Sequence, residues 1–132
     1  MEIDQYCFAC GKDNPFGLKL KFEHTPEGVL ANFMPVREYQ GFVNILHGGI
    51  IVTLMDEAMA HVIMAKGYQG VTARMEIKFA KPVVMGEMVK VRGQILWEKR
   101  KIIKASSEVI QNGETKALAV ADFFITGLNT EN

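Results

Sequence analysis

The stretch His47-Gly48-Gly49-Ile50-Ile51-Val52-Thr53-Leu54-Met55-Asp56-Glu57-Ala58-Met59-Ala60-His61-Val62-Ile63-Met64-Ala65 decides how this chain is read. A run this long and this apolar predicts a helix buried on nearly all sides. Two glycines stand where it begins, and free backbone N–H groups at a helix start can hold a negatively charged oxygen. An acid pair, Asp56-Glu57, lies near its middle. A carboxylate in such a place is costly to desolvate, and a catalytic role would explain why it is kept. One segment therefore offers both an oxyanion site and a buried acid.

Outward from the helix, the flanks alternate as strands do. Leu18, Leu20 and Phe22 face one way, and Lys19, Lys21 and Glu23 the other, which predicts a half-buried strand. Thr25-Pro26-Glu27-Gly28 is a turn, and Val29, Ala31 and Phe33 continue as its hairpin partner until Pro35. After a C-cap at Lys66-Gly67, Val71, Ala73, Met75, Ile77 and Phe79 alternate with Thr72, Arg74, Glu76 and Lys78. A third stretch carries Val89, Val91, Ile95 and Trp97, with Gly93 as a candidate bulge. Ile103 to Val109 and Ala117 to Ile125 follow, joined by the hairpin signal Asn112-Gly113. The outline is two strands, one long helix and a meander of four strands. Such a helix is buried only if a curved antiparallel sheet wraps it, so the fold class is α+β. The edges of a sheet this small predict pairing in an oligomer.

The 132 residues suffice for one domain, spanning 1–132, and not for two. Formal net charge is zero, so no basic surplus points to nucleic acid or an anionic membrane. Asp56, Glu57 and His61 argue against reading the helix as a membrane span. Met1-Glu2-Ile3-Asp4 lacks the pattern of a signal peptide, and a cytoplasmic location is the expectation. The cysteines, Cys7 and Cys10, form one Cys-x-x-Cys. Structural zinc wants four protein ligands and no second pair follows, so reduced thiols in a packed loop and no bound metal are expected. Glu57 and His61 are four apart on a helix and read as an ordinary side-chain pair; as metal ligands they lack company.

The order His47-Gly48-Gly49, then Asp56, within this outline resembles the hotdog-fold acyl-CoA thioesterases, specifically the PaaI-like group, over nearly the whole chain. Cys7-x-x-Cys10-Gly11-x-x-Asn14-Pro15-x-Gly17-Leu18 and Tyr39-Gln40-Gly41 are similar to segments of one branch of that group. The resemblance implies a hotdog fold, an acyl-CoA substrate and no cofactor. It implies Asp56 as general base or nucleophile, the Gly48 N–H as oxyanion donor, and His47 as the residue shaping the loop. Thr72 matches a position where relatives use a serine to position water. Gly49 and Glu57 are candidates for substrate contact. The chain departs from the pattern at Gly41, where some relatives carry asparagine; Asn44 lies nearer the histidine.

Geometry adds one expectation. Gly48 and Asp56 are eight residues apart, roughly 12 Å along a helix at 1.5 Å per residue. One substrate carbon cannot touch both within one chain. Two antiparallel helices across a two-fold axis would bring Gly48 of one chain to Asp56 of the other. The spacing predicts a homodimer at least, with a tetramer left open. The competing reading is an acyl-CoA-binding protein without turnover.

Overall fold

The computed structural model describes residues 4–128. Six strands form one antiparallel sheet in the order β1-β2-β4-β5-β6-β3. They are β1 (Glu23–Thr25), β2 (Gly28–Phe33), β3 (Tyr68–Phe79), β4 (Val89–Lys99), β5 (Ile102–Gln111) and β6 (Glu114–Leu128), with helix α1 (Gly48–Ala65) between β2 and β3. The helix lies across one face of the sheet and packs against β2 to β6. Its buried stripe is Ile51, Leu54, Met55, Ala58, Met59, Val62 and Ile63, the three-and-four spacing of one helical face. The opposite face, with Asp56, Glu57 and His61, is only partly covered in the single chain, so "buried on nearly all sides" overstated it.

Small residues let the helix come close. The inner sheet face carries Ala105, Ala117, Ala119 and Ala121, all essentially buried, around the larger Val89, Val91, Ile103 and Phe123. At Gly93 the backbones nearly touch: a Cβ there would lie 2.6 Å from the carbonyl oxygen of Ala58. Gly93 thus marks close approach of helix and sheet, not the bulge its sequence context suggested. The bulge in β4 falls two residues later, between Ile95 and Trp97.

Three other expectations change. Leu18 and Leu20 are buried, as their alternation required, but the segment 18–22 is not strand. Lys19 has φ 54°, and the N–H groups of Leu18 and Leu20 donate to Phe8 and Ala9 instead of joining the sheet. The strands after the helix are not one meander: β3 crosses to the far edge and pairs with β6, leaving β4-β5-β6 as the meander. The facing of β3 also switches partway along. Thr72 pairs with Phe123 and Arg74 with Asp122, so Ala73 is an extra residue. The bulge puts Thr72 on the inner side with Phe123, while Val71 is exposed; Met75 and Ile77 keep the inward facing assigned from alternation.

The turns follow their residues. Asn112 and Gly113 have φ 53° and 75°, as a type I′ hairpin turn requires. Gly67, with φ 95°, ends the helix. Buried Gln111 accepts from the N–H of Val84 and donates to the carbonyls of Val84 and Glu87, which ties the β3–β4 loop to the sheet.

Gly93→Ala is expected to destabilise the fold by about 1–3 kcal/mol, the usual penalty for overpacking. Urea unfolding should show a lower midpoint with an unchanged slope.

Candidate active site

The helix start is set by the loop before it. The His47 N–H donates to Tyr39 O at 3.0 Å and the Leu46 N–H to Val83 O at 2.9 Å, while Gln40 and Leu46 form an isolated bridge. His47 is then the N-cap: its Nδ1 accepts from the Gly49 N–H at 2.8 Å. That bond occupies the donor of Gly49, so Gly49 holds the histidine and has no N–H to offer a substrate. Among the described residues the N–H of Gly48 has no acceptor, and Gly48 is exposed. A Cβ at Gly48 would meet only Phe79, at 3.9 Å, so space is open there.

A cleft of about 390 Å³ opens beside this N–H, lined by Gln40, Gly41, Phe42, Ile45, His47 and Gly48 among others. Asn44 is not part of its wall; it sits at a turn with φ 65°, its N–H bonded to Gln40 Oε1 at 3.0 Å. The sequence placed Gln40 in a family-like segment without a site role; it lines this cleft together with His47, and among the described residues no bond engages its amide nitrogen.

Two turns along the helix, Asp56 meets Thr72. The Thr72 hydroxyl donates to Asp56 Oδ1 at 2.8 Å. Burial is the largest influence on Asp56 and raises its pKa above the ordinary value of 3.8. The Thr72 hydrogen bond opposes this, and the neighbouring Glu57 carboxylate adds to it. The site thus holds a carboxylate that binds protons more readily than usual, steered by one hydroxyl. Such a group can accept a proton from water or attack a carbonyl carbon.

Glu57 turns elsewhere. Its carboxylate lies 3.5 Å from His61 Nε2, the side-chain pair that the four-residue spacing predicted. It also comes close to Cys7 and Cys10, which sequence spacing had not indicated. His61 is stacked on Phe22 with ring centroids 4.6 Å apart. Of the site residues read from sequence, the fold therefore joins Thr72 to Asp56 and His47 to Gly49. It leaves Gly48 at the far end of α1 and sends Glu57 toward the N-terminal segment.

A six-stranded antiparallel sheet packed on one long helix is the hotdog fold of the thioesterases. The profile of the thioesterase superfamily matches residues 43–118, and the chain belongs to that family. The chain is 26% identical over 97 residues to acyl-coenzyme A thioesterase 13 of Mus musculus, covering 72% of this chain and 69% of that protein. It is 30% identical over 71 residues to an uncharacterised protein of Schizosaccharomyces pombe, C26H8.11c; that match spans 52% of this chain but only 41% of the yeast protein. Among solved structures, a hypothetical thioesterase of Streptococcus pneumoniae with coenzyme A superposes with a TM-score of 0.79 at 19% identity, covering 84% of this chain and 91% of that one. The PaaI protein of E. coli, from the phenylacetic acid degradation operon, superposes with a TM-score of 0.78 at 19% identity, covering 84% and 82%. Two further structures of the pneumococcal protein are variants with alanine in place of an aspartate and of a threonine, sixteen positions apart.

The raised pKa of Asp56 has a consequence for stability. Between its ordinary value and its raised value, the folded chain binds more protons than the unfolded one, so stability falls as pH rises through that window. Asp56→Asn is therefore expected to be more stable than wild type at neutral pH. The difference should vanish below the ordinary carboxylate range; thermal unfolding across pH 3–8 checks it, and a variant less stable than wild type at pH 7 would contradict the assignment.

Proposed function

We propose that this protein hydrolyses acyl-CoA thioesters, releasing free acid and coenzyme A. The observation that carries this reading is the Thr72–Asp56 hydrogen bond on a helix whose first N–H, at Gly48, is free. Attack on the thioester carbonyl turns its oxygen into an oxyanion. The Gly48 N–H, at the positive end of the α1 dipole, is the donor for that charge. Asp56 removes a proton from the attacking water or attacks the carbon itself. Thr72 holds the carboxylate in place and favours its ionised form against the effect of burial.

Two relatives support the substrate class: a curated thioesterase named for acyl-coenzyme A, and a solved neighbour containing coenzyme A. The pneumococcal variants replace an aspartate and a threonine at the same sixteen-residue separation as Asp56 and Thr72. Gln40 and the cleft beside Gly48 are positioned to receive the thioester end of the substrate.

The two halves of this machinery are roughly 12 Å apart along α1. The site is complete when a second copy places its helix antiparallel, so that each Gly48 serves the partner's acid. β3, twelve residues long, is the unpaired edge through which copies would join, with exposed Val71 and Phe79.

A thiol-release assay over short, medium and aryl acyl-CoA esters should detect turnover, with Asp56→Asn lowering kcat at least about 100-fold. Tight binding without turnover across the panel would favour an acyl-CoA-binding protein. The acid limb of kcat/KM should fall above pH 3.8, and Thr72→Ala should move it higher still, because the bond that opposes the raised pKa is gone. Mixing Asp56→Asn with Gly48→Val under subunit exchange should restore activity to at most about half per mixed dimer. Folded mixed dimers with no recovery would sink the shared-site arrangement.

A further inference from the structure

The N-terminal segment is built around its two cysteines. Gly11 donates its N–H to Cys7 O at 2.9 Å and closes a tight turn that contains both. Only glycine fits there: a Cβ at Gly11 would lie 2.3 Å from Gln5 O and 2.4 Å from the Cys7 nitrogen. Asn14 fixes the exit, accepting from the Phe16 N–H at 2.9 Å and donating to Tyr6 O at 3.1 Å. Leu18 and Leu20 then hook the segment to its own start. This rigid turn rests on the half-covered face of α1, above Glu57.

There the two sulfurs and a carboxylate oxygen of Glu57 all lie within 4.8 Å of one another. The three residues are half-buried. Two thiols and a carboxylate are a donor set that zinc accepts. His61 Nε2 lies 3.5 Å from the Glu57 carboxylate and, among the described residues, is buried without a hydrogen-bond partner. Zinc binding releases the thiol protons, and the cation offsets the charge of two thiolates and a carboxylate.

We propose that Cys7, Cys10 and Glu57 form a zinc-binding site that clasps the N-terminal segment to the middle of α1. Zinc binds thiolate at about 2.3 Å and carboxylate at about 2.0–2.2 Å, so tetrahedral ligand atoms stand roughly 3.5–3.8 Å apart. From at most 4.8 Å, the cluster reaches that spacing by contracting roughly 1.3 Å at most. Water takes the fourth position. His61 is the outer partner, donating Nε2–H to the zinc-bound Glu57 carboxylate, with its ring held in plane by Phe22. The third protein ligand, which spacing along the sequence did not indicate, comes from a helix more than forty residues away. The clasp stands one residue from Asp56 but does not depend on the hydrolysis proposed above.

The test uses the full chain without a metal-binding tag, purified with reductant. Elemental analysis should find about one zinc per chain, and the stripped protein should take up Zn²⁺ at one tight site in competition with a chromophoric chelator. Cobalt in place of zinc should show thiolate-to-metal charge transfer and tetrahedral ligand-field bands. Cys7→Ser with Cys10→Ser should abolish tight binding and the charge-transfer band. Glu57→Gln should weaken affinity, and His61→Gln should do so by about 10–100-fold, as loss of an outer partner does. Each variant is checked for folding by circular dichroism; should the serine variant not fold, the cobalt spectrum of the wild type decides. No tight site in the wild type, unchanged binding in the folded serine variant, or a cobalt spectrum without thiolate character would overturn the proposal. So would one zinc per two chains, since the ligand set lies within one chain, and so would a metal-free Cys7–Cys10 disulfide as the isolated state.

Discussion

The close approach of α1 to the sheet rests on what the sheet's inner face leaves out. Gly93 has no side chain where the Ala58 carbonyl lies, and Ala105, Ala119 and Ala121 keep the neighbouring strands low. A helix seated this deeply buries a full stripe from Ile51 to Ile63. Close packing of this kind tolerates little change in volume, so the rotation of the helix about its axis is set by the core. That rotation fixes where every other residue of α1 points. Asp56 is carried toward β3, and Glu57, about 100° further round, toward the N-terminal segment. Two adjacent acids thus enter two different chemical settings because the core leaves the helix one way to lie.

The settings differ in how each acid is balanced. Asp56 loses solvent and gains one hydroxyl donor from Thr72, which leaves its proton affinity raised. A raised proton affinity suits the role of base proposed for it. Glu57 instead faces an imidazole and two thiols. At the other end, His47 takes up the donor of Gly49 and so leaves Gly48 as the exposed N–H. The helix start is therefore tuned to one donor and not two.

Both Asp56 and Gly48 lie on the same rigid rod, which separates them. The antiparallel pairing of two copies proposed above would bring the donor at the end of one rod to the acid in the middle of the other. The length of β3, its open edge and the exposed apolar residues along it fit the same arrangement. In this fold, assembly and chemistry would be one requirement.

Much of this was legible in the residues alone. The apolar run with its glycine start and Gly67 end marked the helix, because hydrophobic periodicity and caps are local signals. Asn112-Gly113 marked its hairpin for the same reason, and the motif around His47 and Asp56 pointed to the candidate site. What the chain could not declare locally was decided by pairing and packing. That β3 would cross to β6, and that Ala73 would bulge and turn Thr72 toward Asp56, depend on hydrogen bonds between strands some fifty residues apart. That Gly93 serves helix contact depends on a carbonyl from another element. And Cys7 and Cys10, which by spacing lacked company, meet Glu57 because the helix rotation set by the core brings it under their turn.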